Sequence, residues 1–266
     1  MALKINSNIP SLSAVNQAGK TRETLVNSLE RIASGRKINA ASDDASGMAI
    51  ANSLKSRAMA AGQEIENAGN TIAITQIADG ALGQMTDILQ EMRTRAVAAT
   101  SGIHSADSLS AIQSDITASM AVLEDISGTT SYNGQTLLDG TFELDGSVIP
   151  SAAPGQLGSA ESGILSQIDV TTADGAAQAL ETLDAALAQI GQTRSDLGAT
   201  QNQFTSEINN LSNTRINLMA AESQIRDTDL AEESVILNQA KILNQASTYA
   251  LAQANKSKQH LIDLIG

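Results

Sequence analysis

A chain of 266 residues with no cysteine, two histidines and 2% aromatic side chains has little from which to build a catalytic centre, and no thiol or disulfide chemistry. Its 42% apolar content is mostly Ala, Leu and Ile, which suits long close-packed helices better than a bulky globular core. The net charge of −13 is uneven: residues 1–60 carry eight Lys/Arg against four acids, residues 221–266 carry four against six, and the stretch between holds −15. That acidic middle argues against nucleic acid and against an anionic membrane as partners.

The first predicted element is an amphipathic helix with Ile5, Ile9, Leu12, Val15, Leu25, Leu29 and Ile32 as its stripe. The opening "MALKINSNIPSLSAV" lacks the continuous apolar core of a cleaved signal peptide, and no run approaches the ~18 apolar residues of a membrane span. A polar joint follows in "SGRKINAASDDASGMAIANSLKSR", with Gly35, Asn39, Asp43, Asp44 and Gly47 between two helical segments. Gly35 and Gly47 permit backbone conformations that other residues resist. Asn39, Ser42, Asp43 and Asp44 suit the backbone groups left open at helix ends, and Arg36 and Lys37 suit pairing with nearby carboxylates. A plain interhelix connector is the simpler account of the same residues.

A second long helix is expected from Ile65, Ile72, Ile74, Ile77, Leu82, Met85, Ile88, Leu89 and Met92. A third is expected from Leu109, Ile112, Ile116, Leu123 and Ile126, capped by Ser105 or Asp107. Tyr132-Asn133-Gly134-Gln135 and Asp139-Gly140 are hairpin-turn signals, so short hairpins are expected over 130–150. Residues 139–166 contain 12 Gly, Ser or Pro, and 150–175 reads as loop with little core of its own. Seven apolar residues then recur every seven positions: Leu183, Ile190, Leu197, Phe204, Leu211, Leu218 and Ile225. This slowly drifting stripe is the pattern of a long helix in a bundle. The last helix carries Leu230, Ile236, Leu237, Ile242, Leu243, Tyr249, Leu251, Leu261, Ile262, Leu264 and Ile265. Neither terminal helix has a local partner, so the two are expected to pair, and the apolar surface left over asks for further copies of the chain.

The screen for chemistry is nearly empty. His104 and His260 are far apart in sequence, there is no phosphate-binding glycine loop, and no Gly-x-Ser-x-Gly elbow is present. Asp43–Asp44 and Asp227-Thr228-Asp229 suit either a weak cation site or, more simply, turn and cap carboxylates. No cofactor, metal or catalytic residue is expected.

The joint sequence "LERIASGRKINAASDDASGMAIANSLKSR" resembles the N-terminal signature of bacterial flagellins, a Leu-x-x-(Ser/Ala)-Gly-x-(Arg/Lys)-Ile-Asn run leading into Asp-Asp-Ala-x-Gly. Ser34, Gly35, Lys37, Ile38, Asn39, Asp43, Asp44, Ala45, Gly47, Ala49 and Ile50 carry the match. Near the other end, Ile242-Leu243-Asn244-Gln245-Ala246 and Leu251-Ala252-Gln253-Ala254-Asn255 resemble the family's C-terminal block, and "MTDILQEMRTRAVAA" and "SYNGQTLLDG" its intervening pattern. The resemblance implies a mainly α fold: a long antiparallel helical bundle with a short β-hairpin region and paired N- and C-terminal helices. It implies a terminal paired-helix domain of 1–44 with 230–266, and a bundle domain of 45–229 with a short variable loop at about 139–175. The large outer variable domains of many members are missing.

The implied function is a structural subunit, not an enzyme, that self-assembles into the flagellar filament used for swimming. A hook–filament junction protein of the same organelle is the alternative, and a membrane-coating amphipathic protein is disfavoured by the net charge. The implied location is the extracellular filament, reached without a cleaved signal peptide. The implied partners are further copies of the chain, the export apparatus, an export chaperone, and the filament cap and hook-junction proteins, with neither nucleic acid nor membrane. The filament interface is expected at Leu12, Val15, Leu25, Leu29, Ile32, Leu237, Leu243, Leu251, Leu261 and Leu264. Many flagellins are detected by a vertebrate Toll-like innate receptor through a run Leu-Gln-Arg-Val-Arg-Glu-Leu-Ala-Val. The aligned stretch here is Leu89 to Val97, with Glu91 in place of Arg and Arg95 in place of Leu. Asp115 stands where the neighbouring helix has Glu. The departures imply an altered receptor site at Glu91, Arg95 and Asp115. A helix-surface ion pair between Glu91 and Arg95 is the simpler account of the first two.

Overall fold

The computed structural model describes residues 8–144, 147–159 and 163–263. Five long α-helices dominate them: α1 (Ile9–Ser34), α2 (Ala45–Thr100), α3 (Ala106–Thr129), α4 (Ala173–Arg226) and α5 (Leu230–Asp263). Between α3 and α4 lie three two-stranded antiparallel hairpins, β1–β2 (Ser131–Tyr132, Gln135–Thr136), β3–β4 (Glu143–Leu144, Ser147–Val148) and β5–β6 (Gly158–Ser159, Gly163–Ile164). The chain divides into two compact units, one of residues up to Ala61 together with those from Asn213 onward, the other Gly62–Ser212. The helices α2 and α4 contribute residues to both.

The bundle unit is built on a repeat of alternating three- and four-residue steps. On α2 the buried stripe runs through Ala78, Leu82, Met85, Leu89, Met92, Ala96 and Ala99, and on α4 through Ala176, Ala179, Leu183, Ala186, Ile190, Thr193 and Leu197. That spacing keeps one stripe facing the same neighbour along the helix. Ile116 and Leu123 of α3 complete the layer. The expected caps form: Ser105 Oγ accepts from Ser108 N–H at 3.3 Å, with Asp107 in the first turn of α3. Three arginines, Arg93 and Arg194 exposed and Arg95 half-buried, bridge the helices. Arg93 meets Asp184 at 2.6 Å, Arg194 meets Asp79 at 2.7 Å, and Arg95 meets Asp115 at 2.7 Å. Exposed pairs of this kind orient the helices more than they stabilise them.

The first hairpin forms at the Asn-Gly signal. Asn133 and Gly134 both take positive φ, 51° and 81°, as a turn matched to strand twist requires. The following segment differs from the sequence expectation of a loop with little core. Within 150–175, Leu157, Leu165, Ile168 and Val170 are buried in the bundle core, beside Leu137, Leu138 and Ile149 of the hairpin stretch before it. Backbone bonds from outside regular strands hold the segment, Ala152 N–H to Leu138 O at 2.9 Å and Leu165 N–H to Leu157 O at 2.9 Å. The side chain of Gln113 on α3 donates to Ile168 O at 3.0 Å and accepts from Val170 N–H at 2.8 Å. One amide thus does the work of a strand neighbour. Glycine and proline density hid this core, because the apolar residues are single and follow no period.

Removing a buried side chain should separate core from surface. Leu89→Ala, at a fully buried position, is expected to lower the unfolding free energy by about 2–5 kcal/mol. Val97→Ala, at a half-exposed position, should change it by no more than about 0.5 kcal/mol. Urea denaturation followed by circular dichroism checks both; similar losses would contradict the assigned core.

Candidate assembly surface and inter-helix joint

The joint starts where α1 ends. Gly35 takes φ +70°, the left-handed turn that terminates the helix. The chain then pairs with the second joint, between α4 and α5. Arg36 and Asp227 form an antiparallel bridge, Lys37 N–H donates to Arg226 O at 2.7 Å, and Thr228 N–H donates to Gly35 O at 3.1 Å. Two sequence-distant polar breaks therefore satisfy one another's backbone groups. Asp229 caps α5, accepting from Ala231 N–H at 2.8 Å. Asp229 thus fills the turn-and-cap role that the sequence offers for Asp227-Thr228-Asp229. The signal for the cap, an Asp just before the apolar run from Leu230, was present, but nothing local announces a partner so far along the chain.

The carboxylates of the first joint are occupied by backbone. Asp43 Oδ2 accepts from Ala40 N–H at 2.9 Å and from Asn39 N–H at 3.0 Å, and those bonds, the Ala40 one foremost, hold its carboxyl below its ordinary pKa. Asp44 Oδ1 accepts from Gly47 N–H at 2.9 Å and Ser46 Oγ–H at 2.8 Å, which lowers its pKa in the same way. A carboxyl depressed in the folded state adds stability above its unfolded pKa and loses it as the pH falls through the folded one. Asn39 also donates its side-chain N–H to Arg36 O at 3.3 Å. Turn and cap duty thus accounts for both aspartates. Among the described residues no group of three or more His, Cys, Asp or Glu is placed to hold a metal.

Gly47 has a second reason to be glycine. A Cβ there would lie 2.5 Å from Asp44 Oδ2 and 2.9 Å from Ile38 Cδ1, and Ile38 is buried. Arg226, nearly buried, reaches Asn52 Oδ1 at 3.5 Å and Glu222 at 3.7 Å, and its Nε has no partner. Arg36 and Lys37 make neither of the ion pairs near the joint, which are Arg31–Glu233 and Arg226–Glu222.

The terminal helices α1 and α5 run antiparallel, with Ser28 against Glu233 near the joint and Ser11 against Asn255 at the far end. Their facing sides are not the apolar stripes. The buried or half-buried positions that face across the pair are Ser11, Ala14, Ala18, Thr21, Leu25, Ser28 and Ile32 on α1, and Glu233, Leu237, Ala240, Asn244, Ser247, Leu251 and Ala254 on α5, with Arg31, Ile236 and Lys258 half-buried beside them. Both sets follow the alternating three- and four-residue step, yet most members are small or polar. Small side chains let helix axes approach closely. The large apolar residues turn outward instead: Leu12 is 59% exposed, Ile242 66% and Tyr249 78%, with Ile9, Val15, Val26, Leu29, Val235 and Leu243 on the same outer surfaces. Of the ten residues expected at a filament interface, Leu12, Val15, Leu29 and Leu243 are exposed, and Leu25, Ile32, Leu237 and Leu251 are half-buried on the facing sides. Leu264 lies outside the described residues, as does Ile5, and the side chain of Leu261 is likewise outside them.

Glu91 on α2 and Asp115 on α3 flank Arg95. Its guanidinium meets Glu91 Oε1 and Asp115 Oδ2, each at 2.7 Å, so one cation bridges two carboxylates across α2 and α3.

Glycine substitutions distinguish the joint from an ordinary helix. Gly69→Ala, where an added Cβ meets nothing within 4 Å, should stabilise by roughly 0.5–1 kcal/mol through helix propensity. Gly47→Ala should forfeit that gain and destabilise, because the cap of α2 must move. Thermal melts compare the two; a stabilised Gly47→Ala would contradict the packed cap.

No helix among the described residues is long and apolar enough to cross a membrane. The model of the bacterial flagellin N-terminal helical region matches residues 5–143, and that of the flagellin C-terminal helical region matches residues 180–265. A flagellin of Halalkalibacterium halodurans is 34% identical over 98% of this chain and 99% of its own length. The Bacillus subtilis flagellin is 33% identical over 99% and 100%, and flagellin FlaB1 of Treponema pallidum 32% over 98% and 99%. Two family models in the right order, relatives matched end to end, and five long helices with two paired joints agree: the chain belongs to the bacterial flagellin family, a family of structural proteins rather than enzymes.

Proposed function

We propose that this flagellin polymerises with copies of itself into the flagellar filament used for swimming. One observation carries the proposal most directly: the terminal helices pair mostly through small and polar residues and leave many large apolar side chains, Leu12, Leu29, Ile242 and Tyr249 among them, facing outward. Many large apolar side chains left exposed on one helix pair mark an interaction site. Further copies cover it, with Leu12, Val15, Leu25, Leu29, Ile32, Leu237, Leu243, Leu251, Leu261 and Leu264 in or beside the contacts. In the assembly, 1–44 with 230–266 acts as the inner layer and 45–229 as the layer around it, with the segment at about 139–175 toward solvent. Gly35, Asn39, Asp43, Asp44 and Gly47 set the joint between them. Delivery to the cell exterior through the export apparatus with an export chaperone, and contact with the filament cap and hook-junction proteins, belong to the same proposal. A role as hook–filament junction protein is not favoured by the flagellin relatives.

Seeded polymerisation tests the proposal. Leu12→Asp changes a side chain already exposed, so the chain's own helix content should persist. A charge buried at every repeated contact costs several kcal/mol, so seeded filament mass should fall at least about tenfold. Normal filaments from this variant would remove Leu12 from the contact.

The Glu91–Arg95–Asp115 bridge supports a second proposal, that this flagellin activates the vertebrate Toll-like receptor weakly or not at all. Relative to the recognised run, a cation site has become anionic and an apolar contact cationic, and both charges are tied to each other on the helix surface. Truncating one central interface residue can cost ~2 kcal/mol, and a reversed charge adds repulsion. A cell reporter assay should show little signal from the unmodified protein and a gain from Glu91→Arg with Arg95→Leu. Strong signalling by the unmodified protein would contradict this.

A further inference from the structure

One ionisable group is buried between the terminal helices. Glu233, in the first turn of α5, is 5% exposed. Its Oε1 accepts the Ser28 hydroxyl at 2.5 Å, its backbone carbonyl accepts from the same hydroxyl at 3.3 Å, and Arg31 lies 3.8 Å from its Oε2. Between half-buried Leu25, Ile32, Leu237 and Leu251, the buried positions of the facing surface are small and repetitive: Thr21 and Ser28 stand seven apart on α1, and Ala240 and Ser247 follow Glu233 at steps of seven on α5. A repeat of small residues offers nearly the same packing after a shift of seven. A buried carboxylate does not, because any shift separates it from Ser28 and Arg31, the hydroxyl and the cation that match its charge in this register. A single buried polar residue is the best-attested means of fixing register in paired helices, at some cost in stability.

We infer that Glu233 is the positioning residue that fixes the register of the α1–α5 pair, through Ser28 and Arg31. The joint cannot do this alone. The hydrogen bonds between the two breaks end at Thr228, beyond which the Asp229 cap opens α5, and unwinding about six residues of α5 would lengthen the chain by ~11 Å, close to the rise of seven helical residues. Glu233 pins the turns that would have to unwind. Its role is therefore choice among packings, not adhesion, and removing it should leave the helices paired but misaligned.

The absence of native cysteine makes register directly readable in the full-length chain. Ser11 and Asn255 touch in the observed register, their side chains 3.0 Å apart; after a shift of seven, Thr248 takes the place of Asn255. Variants Ser11→Cys/Asn255→Cys and Ser11→Cys/Thr248→Cys are oxidised as soluble chain and as polymer, and the intramolecular disulfide is quantified by mass spectrometry. With Glu233 intact, the 11/255 bond should exceed the 11/248 bond at least about tenfold. With Glu233→Ala the ratio should fall to within about threefold. Glu233→Gln, which still accepts the Ser28 hydroxyl, should restore the preference, a rescue that simple loss of packing would not show. An unchanged ratio in Glu233→Ala would overturn the inference. So would loss of both disulfides, which would make Glu233 an adhesive group and not a selector.

Discussion

Two helices that meet through small side chains must present their large ones somewhere else. Along α1 and α5 the facing positions go to Ala, Ser, Thr and a few half-buried Leu and Ile, so Leu12, Leu29, Ile242 and Tyr249 are left on the outside. The pair buries little apolar area of its own, while ordering each residue costs roughly 1–2 kcal/mol of backbone entropy. Such a unit is completed by what it binds. Hydrogen bonds between the two joints hold the helices near each other, and the exposed apolar surface gives the chain a reason to polymerise.

The bundle unit follows the opposite rule with the same repeat. On α2 and α4 the stripe of Leu, Met and Ile faces inward, and its core also takes in Leu137, Leu138, Leu157 and Leu165 from the irregular segment. Its stability comes from its own burial, and its surface arginines bridge helix to helix. One chain thus carries a self-sufficient part and a part that calls for copies. The difference lies in which residue sizes occupy the three- and four-residue steps.

Much of this was legible in the sequence, and the exceptions have physical reasons. The spacing-of-seven run from Leu183 to Phe204 is buried as its period demands. Asn133-Gly134 turns because both residues accept positive φ, and Asp43 and Asp44 sit where helix ends need acceptors. The pairing of the terminal helices was also foreseeable, since neither had another partner. Which faces meet was not. Apolar periodicity points to the large residues, whereas close approach is decided by the small ones, which a hydrophobicity pattern does not weigh. Glu233 was missed for a similar reason: an acidic residue in the first turn of a helix reads as an ordinary surface group. The pairing of Lys37 with Arg226 was invisible because backbone hydrogen bonds between distant breaks leave no mark on composition.

The central claim is that the outer faces of α1 and α5 are covered only by other copies. Hydroxyl-radical footprinting of the soluble chain and of the filament, read residue by residue, measures this directly. Leu12, Leu29, Ile242 and Tyr249 should label readily in the soluble chain and lose most of that labelling in the filament. Leu89 and Leu183, already buried in the bundle, should label weakly in both. Outer residues that stay equally reactive in the filament would contradict the account.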